Sequence, residues 1–239
     1  MSCSSGVGRL SDHSGWPVTQ DLTKGNILND YFASVCINDN CKLSPFPRQV
    51  PGDVSLDNIY FDTVAVMKII CKLKPKLSHG PDGITPFGIK KLGQYIVYPL
   101  SRFFESFLSV SQVPSEWKSS IVTPIFKKGI SSNCSNYHPL LLCCAIQKIM
   151  ERLIVDETLT YLRKHNVISK EQHGFLRRRS TVTNLLETTN DWTISLKNKH
   201  MTTAVYIGYS KAFDVVPHPK LFYKLSAFVV ICLLGLNNC

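Results

Sequence analysis

The sequence predicts an α+β or α/β chain, α+β being preferred, in which helices dominate and the sheet is unfinished. Three observations lead there. Apolar residues recur at helical spacing over several long stretches; only two short apolar runs read as strands; and Gly- and Pro-bearing turns separate the elements. At 239 residues, of which 44% are apolar, the chain can bury a real core as one large domain or two small ones.

Residues 1–25 are rich in Ser and Gly and read as a disordered leader. Ile27, Leu28, Tyr31, Phe32 and Val35 give "NILNDYFASVC" (26–36) a helical pattern, and "SPFPRQVP" (44–51) is a Pro-bearing connector, so residues 26–60 form a helix-and-connector unit. A helix follows over 62–73, with Val64, Met67, Ile70 and Cys71 on one face. "SHGPDGI" (78–84) is a turn by its Gly and Pro density. Pro99 suits the first position of a helix running to Val110, which faces inward through Leu100, Phe103, Phe104 and Phe107.

"SSIVTPIFKKG" (119–129) reads as a strand, and Pro124 marks it as an edge or a bulge. A long helix covers 145–164 and ends at Asn166. Ser169 and Gln172 in "SKEQ" match a capping box. Ser180 caps a further helix whose Val182, Leu185, Leu186, Thr189, Trp192 and Leu196 form a stripe meant for the core. Residues 204–207 then read as a strand, and "HPKLFYKLSAF" (218–228) opens as a helix. There is no internal repeat or low-complexity tract. Two strands make no stable sheet alone, so the chain is expected to be the front part of something longer.

Lys and Arg outnumber Asp and Glu by 27 to 17, and the formal charge of +10 favours a polyanionic partner. The nine cysteines show neither metal-ligand spacing nor a disulfide framework, and are expected to be buried, reduced thiols. No apolar run reaches the roughly 18–20 residues of a membrane span, and the first residues lack a signal-peptide core. An intracellular protein, nuclear or cytoplasmic, not secreted and not in a membrane, is expected.

The polar blocks fall into an order. "SHGPDGI" (78–84), "VPSEWKSSIVTPIFKKG" (113–129), "SNYHPL" (135–140), "KIMERLI" (148–154), "ISKEQHGF" (168–175), "RSTVTNLLE" (179–187) and "YSKAFDVV" (209–216) strongly resemble the reverse transcriptase domain of non-LTR retrotransposons. The similarity spans about residues 26–228. It implies a right-hand polymerase fold over 61–228, with the fingers and part of the palm, and residues 203–208 on the first catalytic palm strand. The second catalytic strand, with its aromatic-Ala-Asp-Asp turn, and the thumb are expected to lie beyond residue 239. The tail over 229–239 departs from the family pattern.

The resemblance also implies a chemistry, RNA-directed DNA synthesis by nucleotidyl transfer. Two Mg²⁺ ions stabilise the attacking and leaving oxygens of such an in-line displacement, and they require hard carboxylate ligands. In the family pattern an aspartate stands where this chain has Gly208, between Ile207 and Tyr209. No Mg²⁺ site and no polymerase activity are therefore expected here. Asp214 belongs to the motif in its own right, with a capping role for the helix that starts near Pro217.

Two further positions depart from the family: His138 replaces an arginine of "Tyr-Arg-Pro", and Leu176 an arginine of "Gly-Phe-Arg". These losses are what a decaying element copy would show. Contacts to an RNA or DNA template-primer could persist, carried by charge. Lys127, Lys128, Arg177 and Arg179 suit backbone phosphates, His138 occupies a phosphate-facing position, Gln172 and Gly174 match the segment along the template and nucleotide, and Phe213 matches the sugar-checking aromatic. Each has a plain alternative in a solvated turn, a structural histidine or core packing. A non-catalytic nucleic-acid-binding module, or an unstable product of a dead element, is the alternative for the whole.

Overall fold

The computed structural model describes residues 7–12, 14–35, 55–56, 58–209, 212–213 and 215–228. The connector at 44–51, Asp214 and the tail at 229–239 lie outside the described residues. A short antiparallel pair, β1 (Leu10–Ser11) and β2 (Pro17–Val18), leads into α1 (Asp21–Val35). Then come α2 (Thr63–Lys72), α3 (Pro86–Val110), a single 3₁₀ turn at Ser115–Lys118, β3 (Ile121–Phe126), β4 (Tyr137–Leu142), α4 (Ala145–Lys164), α5 (Thr181–Lys197) and α6 (His218–Ala227). The described chain is thus a mixed structure of helices and two small two-stranded sheets.

The main core lies where α2, α3 and α4 meet. Val66 and Ile70 of α2, Ile89, Leu100 and Phe104 of α3, and Ile149, Met150 and Leu153 of α4 close over Phe61. Phe61 and Phe104 meet at 5.5 Å between ring centroids, and Trp117 packs edge-on against Phe107 at 5.3 Å. Within this apolar volume Ser101 Oγ donates to the Phe61 carbonyl, which satisfies a polar pair that could not be left alone there. Two satellites adjoin it. Leu10, Leu28 and Tyr137 tie β1, α1 and β4 together, while Tyr161 of α4 gathers Leu225 and Phe228 and donates to the Phe228 carbonyl at 3.1 Å.

Several expectations are met and several are corrected. α4 has its expected bounds, and Asn166 ends it at φ 54°, with Asn166 and Val167 N–H groups closing on Arg163 and Leu162 carbonyls as helix ends commonly do. Pro99 does not begin a helix: α3 starts at Pro86, where Thr85 Oγ1 accepts from Gly88 N–H at 3.1 Å, and Pro99 lies inside it. That start combines a capping hydroxyl with proline in the first turn, a stronger signal than proline alone.

On α2 the buried face runs through Val66 and Ile70, and Val64 (71% exposed) and Cys71 face solvent. Cys71 is therefore not a buried thiol. The stretch read as a disordered leader carries structure from Val7 onward, since Leu10 is fully buried against Leu28 and Tyr137. No helix begins at "SKEQ"; Ser169 Oγ instead accepts from Glu171 N–H at 3.2 Å and the chain turns. Residues 204–209 form no strand, and no strand pairs with them among the described residues. A strand needs a neighbour for its backbone groups, which apolar side chains alone do not supply.

Candidate nucleic-acid interface

The β3–β4 hairpin is the first part of the site. Pro124 and Pro139 stand directly opposite each other, and because neither has an N–H they form a non-hydrogen-bonded pair. Alternation then puts Val122, Pro124 and Phe126 on one face with Tyr137, Pro139 and Leu141. That face and α1, through Leu28, Phe32 and Val35, wall a cavity of about 860 Å³ whose rim includes Phe213 and His218. His138 also contributes to the lining, although its ring belongs by alternation with Ile125 and Leu140 on the other face.

The hairpin's far end carries Lys127 and Lys128, both exposed. Lys127 N–H still donates to Asn136 O at 3.0 Å, and Gly129 turns the chain at φ +95°. A Cβ on Gly129 would lie 2.7 Å from Asn136 Nδ2, whose amide braces the loop by donating to Ile130 O at 2.9 Å. The two lysines are thus presented by a braced turn, free to meet phosphate.

The second part is the segment between α4 and α5. Ser180 caps α5: its Oγ accepts from Thr183 N–H at 3.2 Å and Thr183 Oγ1 accepts from Ser180 N–H at 2.9 Å. Two ion pairs strap the preceding loop. Arg177 donates to Asp156 of α4, and Arg179 to Glu187 of α5 at 2.9 Å. Both arginines expected to face phosphate are therefore held by carboxylates. Arg178, between them at φ 61°, has no ion-pair partner among the described residues. Gln172 folds back on Gly174, its Nε2 donating to that carbonyl at 3.1 Å.

Phe213 is 78% exposed and so is not core; its ring stands edge-on to Phe175 at 5.8 Å, and Phe175 is 84% exposed. This contact brings the Gln172–Gly174–Phe175 loop beside the hairpin cavity, while Lys127 and Lys128 do not line it. Phe175, His173 and Glu187 escaped sequence reasoning. The 183/187 spacing, one turn of a helix, was the available signal for His173's partners. α5 corrects a further expectation, because Val182, Leu185, Leu186 and Leu196 are exposed rather than core.

Gly208 lies exposed in the 204–209 segment, with no atom within 4 Å of where a Cβ would stand. Gly208 has no side chain to offer a cation, and among the described residues no three His, Cys, Asp or Glu side chains converge. The N-cap residue of α6 is Pro217. Among the described residues no helix is long and apolar enough to cross a membrane.

Part of the chain matches a known family. Residues 125–236 match the family described as reverse transcriptase (RNA-dependent DNA polymerase). The chain is 32% identical over 183 residues to the RNA-directed DNA polymerase from mobile element jockey of Drosophila melanogaster, a match covering 76% of this chain and 19% of that protein. It is 29% identical over 188 residues to the jockey polymerase of Drosophila funebris, covering 78% and 20% respectively. A further relative is the Pol polyprotein from type-1 retrotransposable element R2 of Popillia japonica, 28% identical over 163 residues, 66% of this chain and 21% of that protein. The chain spans about a fifth of the length of these curated relatives. Residues 125–236 thus match the reverse transcriptase family, and the chain is related to the RNA-directed DNA polymerases of non-LTR retrotransposons.

Proposed function

We propose that this chain is the fingers and early palm of a reverse transcriptase, that it engages a nucleic-acid template through charge, and that it does not catalyse nucleotidyl transfer itself. The observation that carries the second half is Gly208. It occupies the position of the family's metal-binding aspartate, in an open segment where a carboxylate would fit and none is present. In-line attack on a nucleotide phosphate needs oxygen ligands to hold two divalent cations, and these residues do not supply them.

Binding asks for less. Lys127, Lys128 and Arg178 project from braced turns and can meet backbone phosphates without reading sequence. Phe175, in the loop that carries Gln172, Gly174 and Arg178, and Phe213 lie exposed against each other. The chain's charge of +10 adds long-range attraction to any polyanion.

Two measurements test this. Primer extension on an RNA template with Mg²⁺ or Mn²⁺ should yield no template-dependent product, and a product from the unaltered chain would overturn the catalytic half. Fluorescence anisotropy with a single-stranded RNA should show binding at low salt that weakens log-linearly as salt rises. No binding even at low ionic strength would overturn the other half.

A further inference from the structure

His173 is not part of the contacts described so far, yet its side chain is only 4% exposed and every polar atom of its ring is engaged. Nδ1 lies 2.9 Å from Thr183 Oγ1. Nε2 lies 2.9 Å from Glu187 Oε2 and 3.0 Å from Arg179 Nη1. A ring nitrogen carries either a hydrogen or a lone pair. Arg179 can only donate, so its contact requires a bare Nε2. The Glu187 carboxylate can only accept, so its contact requires Nε2–H. The two contacts exclude each other.

Thr183 decides which holds when the ring is neutral. Its hydroxyl accepts from Ser180 N–H and donates to Ser180 O, both at 2.9 Å, as part of the cap of α5. With that hydrogen committed, Nδ1 must be the donor toward Thr183, and the neutral ring leaves Nε2 bare for Arg179. Protonation adds a hydrogen at Nε2. Glu187 then gains a charge-assisted bond, while Arg179 loses an acceptor and meets a like charge 3.0 Å away.

We propose that His173 is a positioning residue that, when neutral, adds to the hold of Glu187 on Arg179 and, when protonated, loosens Arg179 toward a polyanion. This rests on the nucleic-acid reading above and adds its regulation. The charged groups facing the ring are Glu187 from α5 and Arg179 from its own loop. Glu171 acts on Arg179 from the same loop, and Arg177 is taken up by Asp156 of α4. On protonation the His173–Glu187–Arg179 group passes from neutral to a net single positive charge. Arg179 then keeps Glu187 Oε1 at 2.9 Å as its remaining partner, and both the loosened guanidinium and the added charge strengthen phosphate binding once the ring is protonated.

The test uses the full chain, a rhodamine-labelled oligouridylate RNA and constant salt, comparing pH 8 with pH 5.5. The chain's other histidines contribute a background, so the readout is the difference from His173→Asn, whose amide can still donate to Thr183 but does not titrate. The unaltered chain should gain about three- to tenfold more affinity on acidification than the variant, the effect of roughly one added phosphate contact. Long-range ¹⁵N spectra of the unaltered chain's imidazoles read the same step without RNA, and should show His173 passing from an Nδ1–H neutral ring to a doubly protonated one. Equal pH gains in the two proteins, or a His173 ring in one state throughout, would overturn the proposal. A ring that switches in a chain that binds no RNA at either pH would establish the latch and overturn the nucleic-acid reading instead.

Discussion

Three glycines separate three physical reasons for the residue, and alanine at each gives a different result. At Gly80, within "SHGPDGI", an added Cβ would sit 2.5 Å from Cys144 N, 2.6 Å from Cys143 C and 2.8 Å from Cys144 Cα. All three are backbone atoms at the entry to α4, so nothing can swing aside and the turn must part from the helix. Overpacking of this kind costs about 2–3 kcal/mol, or roughly 4–12 °C in melting temperature for a chain of this size. At Gly83, with φ +70° and nothing within 4 Å, the cost is purely conformational, about 1 kcal/mol. At Gly208 neither term applies, and alanine should stay within about 0.5 kcal/mol of the original. Urea unfolding followed by far-ultraviolet circular dichroism measures all three. A Gly80→Ala variant as stable as the unaltered chain, or a Gly208→Ala variant as damaged as Gly80→Ala, would refute the packing described here.

Further outcomes follow from local geometry. Ser180→Ala removes half of the capping box of α5 and should cost about 1 kcal/mol, with faster hydrogen exchange in the helix's first turn. Burial pushes the Cys144 thiol up, so iodoacetamide at mildly alkaline pH should modify exposed Cys71 well before Cys144, as peptide mass spectrometry would report. The Ser169 hydroxyl beside Glu171 holds its carboxyl below the usual glutamate range; the ionised form is thereby favoured above that range and loses its advantage as pH falls through the lowered value. Ser169→Ala should return Glu171 toward an ordinary glutamate in a carbonyl-detected NMR titration.

What could be read without the structure divides along physical lines. α4 was legible because apolar spacing, a long uninterrupted run and Asn166 at its end all agree. The hairpin was half legible: β3 stood out as a β-branched run, but β4 hid inside "NYHPLLL", where Pro139 argues against a strand unless its opposite number is also a proline. Pairing is non-local, so no inspection of either segment alone could reveal it. The loop at 173–179 was legible as basic but not as strapped, because Asp156 and Glu187 come from helices on either side of it in the chain. Hence Arg177 and Arg179 looked free while Arg178 looked no different from them. The stripe on α5 shows another limit. A 3.6-residue period states that one face needs cover, and says nothing of what covers it.

Gly208 remains the position on which the functional reading turns, and the structure narrows what it can mean. A glycine is required where φ is positive, where backbone approaches closely, or where a bulge must form. Gly208 has no positive φ, nothing within 4 Å of its missing Cβ, and no strand paired with its segment among the described residues. Fold requirements therefore do not explain the residue, and an aspartate would be accommodated as readily as alanine. Gly208→Asp should accordingly leave the unfolding midpoint unchanged within about 0.5 kcal/mol. One carboxylate is still not a cage for two cations, so the same variant should remain inactive in primer extension. Catalysis by that single substitution would show that the other metal ligands are already present in this chain, and the proposal of a non-catalytic template-binding module would fall.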